Sequence, residues 1–529
     1  MISESRAFAL LVELYRRGGR ITPQGERLIV SGATQALSSD IRIELAHAKP
    51  ALVMLLGGHG ESNDTRDGVP LSGAQQEIWA VEQALPGTTR FNLTSNVLLR
   101  GRFSTGAAAD ALAALIERHA ALRTRFAQAP LACPRQFVRA ATGVAADIER
   151  GLQRLPENAG ALLRQIALEQ NARPFDLAGG PLFGLHMLTF GDGHVVLTLR
   201  RHHIASDGVS FALLVDDFCR FYRAFADGDT PSVSPPLGYP AFVAYEAAAL
   251  ERQGPDTLRT WWRDALGGSA AYAEPSIAMD GAATGSLRFV IDATTTGALR
   301  DLARRCGESL YSTMFALFRV LLEAHEAPGA ECVGVDASMR DAAEFDRTVG
   351  LFINRLPIVH PFDPNAAFVS MIEKAGRKVR AALAHKWLAH HEFGSLRRTR
   401  GQPLFSYLFG FHNNAHATFA LPDCRLLERF AHREHEQDVP FVCYLTDVGA
   451  ALSVSVAYRA TPQLQTLAVD FAAAYRQLAR FAIVTPDIRC GDLVASLRAR
   501  RRSIDADRRR AFAEFKRRRP AADGGHANA

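Results

Sequence analysis

Cysteine is scarce: seven in 529 residues, at Cys133, Cys219, Cys306, Cys332, Cys424, Cys443 and Cys490. The number is odd and no two lie at a metal-ligand spacing. That argues for reduced thiols in a cytosolic protein, and against a disulfide framework or a zinc site. No window approaches about 18 uncharged apolar residues, so a membrane span is not expected. The opening MISESRAFALLVELYRRGG carries Glu4 and Glu13. It lacks an apolar run followed by a small-residue cleavage site, and so does not read as a secretory signal. A glycine-rich phosphate loop is missing, which leaves nucleotide binding without support. No G-x-S-x-G serine and no cysteine sits in a triad-like setting, so a covalent serine or cysteine mechanism has little support.

The charge is unevenly placed. Residues 498–519 hold eleven Lys or Arg against Asp505, Asp507 and Glu514. Because the whole chain is +6, the remainder is near −2. Basicity therefore belongs to a tail, and the body is no nucleic-acid surface.

The length implies two or three domains. Residues 5–17 space Phe8, Leu11, Val12 and Tyr15 for an amphipathic helix that Gly18 and Gly19 stop. Strands around Arg20–Thr22 and Arg27–Val30 flank Pro23-Gln24-Gly25 as a hairpin. A second helix starts near Ser39, and its apolar face runs from Ile41 to Leu55. The polar stretch 57–70, GGHGESNDTRDGVP, reads as a flexible linker. From Leu71 to Asp487, helical segments such as 110–119 and 211–226 alternate with strand-like runs at 95–100, 195–201, 286–291, 332–336, 404–411 and 451–458. A breaker-rich stretch spans 230–240. Two α/β lobes fit this pattern better than a doubly wound sheet. The last 30 or so residues are expected to be a fraying helix and then disorder.

The sharpest local signal is HVVLTLRRHHIASDGVS, residues 194–210. An apolar strand runs into His202, His203, Asp207 and Gly208, and a helical pattern follows. Adjacent histidines on a strand point to opposite faces, so one can pack inward while the other meets a lobe interface. Transfer of an acyl group from a thioester needs no metal. It needs a neutral imidazole near the attacking amine or hydroxyl. The alternative is a buried histidine pair that stabilises a strand end, with Asp207 as a helix cap.

His202 to Gly208 resembles the HHxxxDG signature of the condensation-domain superfamily, and companions follow in order. LSGAQQEIW (Leu71–Trp79) is similar to the family's opening motif. RHAALRTRF (Arg118–Phe126) matches RHExLRTxF with Ala120 for glutamate. RPFDLAGGPLF (Arg173–Phe183) and YPAFVAY (Tyr239–Tyr245) resemble the stretches on either side of the histidine segment, the second with Ala241 and Tyr245 as departures. SMRDAAEFDRTVGLFINRLPI places Arg340 on a structural arginine. It also puts Gly350, Phe352 and Asn354 on an IGxFVNT-like motif whose threonine is Arg355. QPLFSYLFGF (Gln402–Phe411) is similar to a late NPLFQVxF strand, whereas His385-Lys386-Trp387 matches HQDxPFE poorly.

The resemblance implies an α/β (α+β) fold of two chloramphenicol-acetyltransferase-like lobes in a V shape. The expected divisions are a helix–hairpin–helix docking domain at 1–57, a linker at 58–70, lobes at 71–245 and 246–487, and a basic, partly disordered tail at 488–529. It implies that His203 is the catalytic histidine, acting as base or positioner. His202, Asp207, Gly208, Arg340 and Asn354 would support the loop, with Asp207 paired across the lobes to Arg340 and Gly208 supplying a turn. No metal and no directly bound cofactor is implied; phosphopantetheine would arrive covalently on a partner carrier protein.

The amino-terminal unit resembles the β-hairpin docking domain of tubulysin-type synthetases. Arg16, Arg17, Arg20 and Arg27 would then meet the acidic or apolar tail of an upstream synthase polypeptide. With no adenylation, carrier or thioesterase domain recognised, the layout is similar to free-standing, enacyloxin-type chain-releasing condensation enzymes. The expectation is a cytoplasmic, trans-acting and monomeric acyltransferase that forms an ester or amide on a free or carrier-bound acceptor. It would have no nucleic-acid or membrane partner. An inert docking adaptor and an acyl-CoA-dependent acyltransferase are the alternatives, and the shared signature leaves epimerisation open.

Overall fold

Several helix starts in this chain are written by short polar side chains. In the computed structural model Ser72, Ser104, Asp207, Asp292 and Thr461 each accept a backbone N–H two or three residues inside the helix that follows. Ser72 and Gln75 form a reciprocal capping box, which gives the opening motif a physical reason. The structure describes residues 10, 19–24, 27–32, 39–49, 52, 68–128, 134–140, 147–150, 154–267, 284–396, 404–412, 419–430 and 439–518.

At the amino end β1 (Gly19–Gln24) pairs antiparallel with β2 (Arg27–Gly32), followed by α1 (Ser39–His47). Strand β1 runs further than expected, since Pro23 and Gln24 lie within it. Leu10, Leu45, Ala48 and Leu52 are buried, with Val30 and Ile41 partly buried against the same core. The rest of the expected first helix, Arg16, Arg17 and most of the expected linker lie outside the described residues. The end of that linker is not free: Val69 is buried, and Val69–Pro70 is strand β3.

The first lobe follows in chain order with α2 (Gly73–Ala84), β4 (Asn92–Gly101), α3 (Thr105–Arg118), β5 (Thr124–Gln128), β6 (Pro134–Val138), β7 (Asp147–Arg150), α4 (Gly160–Asn171), β8 (Phe183–Thr189), β9 (His194–His202) and α5 (Gly208–Ala226). A bridging pair comes next, α6 (Tyr239–Gln253) and α7 (Pro255–Ala265). The expected division at 245/246 falls inside α6, so the lobes share a helix rather than a hinge.

The second lobe holds β10 (Thr284–Ile291), α8 (Ala293–Arg305), α9 (Leu310–Ala324), β11 (Cys332–Ser338), β12 (Ile353–Val359), α10 (Phe368–Ala384), α11 (His390–Leu396), β13 (Tyr407–His412), β14 (Cys424–Phe430), β15 (Phe441–Asp447), β16 (Leu452–Arg459), α12 (Pro462–Val484) and α13 (Cys490–Arg518).

The first-lobe sheet has the order β14-β4-β9-β8-β7, and the second-lobe sheet β10-β16-β15-β13-β11-β12. Strand β14 therefore leaves its own half of the chain and completes the first lobe's sheet, with Phe419 and Leu421 buried in that lobe's core. A small sheet, β3-β6-β5, flanks it. The second sheet buries one face more fully than the other. Phe289, Val333, Val335, Leu356, Phe409, Cys443, Val454 and Val456 are buried with apolar residues of α9 and α12. Asp336, Tyr444, Ser453 and Ser455 alternate with them and are only partly buried.

The tail expectation needs correcting at its start. Cys490, Leu493, Val494 and Leu497 are buried, and α13 packs on α9. Arg498 donates to the last carbonyls of α9, from Nη2 to Glu323 at 3.0 Å and from Nε to Ala324 at 3.3 Å. A cation there favours a helix C-terminus. Charge blocks concealed this apolar stripe. Among the described residues no helix is long and apolar enough to cross a membrane.

Candidate active site

Strand β9 ends where its last residue, His202, becomes a fixed point. The His202 ring is buried against Phe91 and Phe175. Its Nδ1 accepts the Ile204 N–H at 3.2 Å, so its Nε2 carries the proton and donates to Glu82 at 3.1 Å. The chain then makes a single 3-10 turn, His203–Ala205.

His203 is turned the other way and is partly buried. Its backbone N–H donates to Phe91 O at 2.8 Å. Its Nδ1 lies 2.9 Å from Ser206 O, and a carbonyl can only accept, so Nδ1 carries the proton. Nε2 is then left as a lone-pair base. Burial, with the Arg355 guanidinium nearby, holds the imidazole below its ordinary histidine range and keeps it neutral. The two readings of the histidine pair thus divide between the residues: His202 is the packed one, and His203 presents a basic nitrogen.

Asp207 caps α5, with Oδ1 accepting Ser210 N–H at 2.7 Å. Across the lobes, its Oδ2 accepts Phe352 N–H at 3.0 Å, and its own N–H donates to Gly350 O at 3.0 Å. Arg340 Nη2 lies 3.4 Å from Asp207 Oδ1 and 2.9 Å from Ser210 Oγ. Arg340 Nη1 donates to Phe345 O and Thr348 O at 2.6 and 2.8 Å, and the guanidinium stacks 3.8 Å over the Phe352 ring. Ser210 bridges the same seam, donating to Gly350 O at 2.7 Å and accepting Gly350 N–H at 3.0 Å. The loop that carries His203 is thereby bolted to the residues just before β12.

Gly208 differs from expectation. It is the first residue of α5 and has no positive φ, so no turn requires a glycine there. A Cβ at Gly208 would meet nothing closer than His412 Cε1 at 4.0 Å, so what the glycine supplies is open space beside the loop. Asn354 is a loop anchor: its Nδ2 donates to Lys386 O and Leu388 O, both at 2.7 Å. Gln75 Nε2 donates to Ile204 O at 3.3 Å, tying the capping box to the histidine turn. Arg118 and His119 bond buried Asp217 at 2.8 and 2.9 Å, a framework role for their motif. Arg20 and Arg27 lie at opposite ends of the hairpin register, Arg20 opposite Ser31 and Arg27 opposite Gln24.

Sequence reasoning missed Glu82, Ser210 and His412. Ser210 was visible as the serine two residues past the glycine. The others reach the site through sheet register or helix packing, which no local pattern encodes.

A neutral imidazole on a loop clamped between two mixed α/β lobes defines a chloramphenicol-acetyltransferase-like scaffold. The family model described as "Condensation domain" matches residues 65–495, and the chain belongs to that family. Among curated relatives, phosphinothricin tripeptide synthetase PhsC of Streptomyces viridochromogenes is 30% identical over 353 residues, which is 64% of this chain and 32% of that protein. Malpinin synthetase of Mortierella alpina is 25% identical over 405 residues, covering 75% of this chain and 5% of that protein. The chain thus spans about a third or less of these relatives' lengths.

Solved structures agree on the fold. The condensation domain of the Monacolin K polyketide synthase MokA aligns with a TM-score of 0.67 at 18% identity, covering 80% of this chain and 98% of that one. The SgcC5 protein of Streptomyces globisporus aligns at 0.64 with 20% identity, covering 79% and 100%.

Proposed function

We propose that this chain is a trans-acting acyltransferase. It moves an acyl, polyketide or peptidyl chain from a carrier-bound phosphopantetheine thioester to a hydroxyl or amine, releasing an ester or amide. The observation that carries this reading is the His203 tautomer: Nδ1–H is committed to Ser206 O, and Nε2 is free to take a proton. The acceptor's oxygen or nitrogen attacks the thioester carbonyl while Nε2 accepts its proton, and the new C–O or C–N bond forms. Collapse of the tetrahedral intermediate breaks the C–S bond, and the thiolate recovers the proton from the imidazolium. Asp207 and Arg340 hold the loop without touching the reacting atoms. The space beside Gly208 leaves room for the thioester.

Two further features support a role in trans. Strands β1 and β2 pair only with each other among the described residues, which suits capture of an extended partner tail as a third strand. Arg20 and Arg27 lie on that hairpin and, with Arg16 and Arg17, would favour an acidic tail.

The test is intact-protein mass spectrometry of an upstream carrier domain loaded with a surrogate acyl thioester, incubated with enzyme and a panel of alcohols and amines. Wild type should remove the acyl mass with one acceptor class and yield the matching product. His203→Ala should be slower by about 10²–10⁴-fold. Its melting temperature should hold, since the ring makes one hydrogen bond to the loop. Binding of the carrier with no acceptor-dependent transfer would replace this reading with an inert adaptor.

A further inference from the structure

Helix α2 buries Gln75, Ile78, Trp79 and Glu82, a stripe at helical spacing whose two ends are polar. Buried polar side chains need partners, and both of these find one in the histidine turn. Gln75 and Glu82 are seven residues apart, which is two turns of helix and about 10 Å along one face. At one end, Gln75 Oε1 accepts Ser72 N–H at 3.1 Å and Gln136 Nε2–H at 3.0 Å. Its amide nitrogen is thereby the end that donates to Ile204 O at 3.3 Å. At the other end, Glu82 Oε1 accepts His202 Nε2–H at 3.1 Å, and His202 Nδ1 accepts Ile204 N–H at 3.2 Å. One helix thus grips both the N–H and the C=O of Ile204, the middle residue of the turn His203–Ala205.

The grip depends on the His202 tautomer. A residue that precedes a helical turn caps it by offering a side-chain acceptor to the first free N–H groups, and Ser, Thr, Asp and Asn do this best. A histidine can do it only with a bare Nδ1. A neutral imidazole can carry its proton on either nitrogen, and the bond made by one nitrogen decides the state of the other. Glu82 makes that choice: its carboxylate holds the proton on Nε2 and so keeps Nδ1 open. The Glu82 side chain is 7% exposed and that of His202 2%, so water is a poor substitute for the carboxylate.

We propose that Glu82 is a positioning residue of the transfer site: by fixing the His202 tautomer it shapes the turn that presents His203 Nε2 to the reactants. This rests on His203 acting as the base. Glu82 itself touches no reacting atom. With an apolar side chain in its place, part of the population carries the His202 proton on Nδ1. A donor then faces the Ile204 N–H, itself a donor, and the turn opens on that side. His203 Nδ1–H loses its fixed alignment to Ser206 O on the same loop.

The experiment uses the full chain with ¹⁵N-labelled histidine, and His203→Ala assigns the His203 ring. Wild type should show His203 as the Nδ1–H tautomer alone, and a folded Glu82→Met protein should show both tautomers. Glu82→Ala, read in the same way, stands in should that protein not fold. In carrier-dependent transfer Glu82→Met should lower kcat about 10–100-fold with KM little changed, the signature of misplacement rather than of lost binding. Glu82→Gln keeps an oxygen for His202 Nε2–H and should recover most of that loss. In His202→Asn the new side chain can cap Ile204 N–H without Glu82, so adding Glu82→Met should cost little more. An equal loss from Glu82→Met in both backgrounds overturns the proposal, as does a single Nδ1–H tautomer with unchanged kcat in the folded single variant. If wild type transfers nothing, the base reading fails, and the His203 tautomer in Glu82→Met still decides whether Glu82 sets the turn.

Discussion

Replacing Asp207 with alanine should weaken the lobe interface by about 3–5 kcal/mol, the range for removing one partner of a buried ion pair. Three losses coincide at this carboxylate. Ser210 N–H loses its cap, which costs about 1 kcal/mol. Phe352 N–H is left buried without its acceptor, at about 1–3 kcal/mol. Arg340, with 7% of its side chain exposed, loses the adjacent countercharge. The last term sits at the low end, because the guanidinium keeps Phe345 O, Thr348 O and Ser210 Oγ. These terms overlap and do not sum. Asp207→Asn preserves shape and can still cap Ser210, but it must turn an amide N–H toward Phe352 N–H. About 1–3 kcal/mol is expected for it. Urea unfolding followed by tryptophan fluorescence reads both variants. A double variant with Arg340→Ala should lose less than the two single losses together, because each side chain is the other's partner. An Asp207→Ala protein within about 1 kcal/mol of wild type, or no better resolved from wild type than Asp207→Asn, would refute the clamp.

Two further outcomes follow from the same seam. Gly350→Ala would drive a Cβ into the ring of Tyr239, which is buried and whose hydroxyl is tied to Ser72 and Leu351. About 3 kcal/mol of destabilisation is expected, read as a lower urea midpoint. Glu246 accepts Gly73 N–H at the start of α2, yet burial pushes its carboxyl up to about 7. Its folded value lies above the unfolded one, so its stabilisation is full below about pH 4.5 and is lost as pH rises through about 7. Wild type should therefore lose on the order of 1–3 kcal/mol between about pH 5 and pH 8. Glu246→Gln should flatten that slope, and equal slopes in both proteins would count against the burial argument.

Much of the first lobe was legible because its signals are local. Apolar strand-like runs located β4 and β9, and helical patterns located α3 and α5. The order of motifs named the superfamily. The roles of several motif residues were not legible. Gly208 read as a turn glycine, but the neighbour that makes it informative, His412, lies some 200 residues away in sequence. Asn354 was expected to support the loop, but its partners, the carbonyls of residues 386 and 388, lie more than 30 residues away. In α13, Leu493 and Leu497 lie at helical spacing, but the arginines that follow made the segment read as a solvated tail.

The chain by itself determined roughly where many of its helices and strands lie, that a histidine loop precedes α5, and that the charged end differs from the body. These follow from side-chain spacing and capping, which act over a few residues. Only the tertiary structure decided that β14 crosses to the other lobe and that Asp207 is held by a backbone N–H 145 residues away. Sheet order and inter-lobe contacts depend on which distant surfaces bury each other best, and no local spacing carries that information.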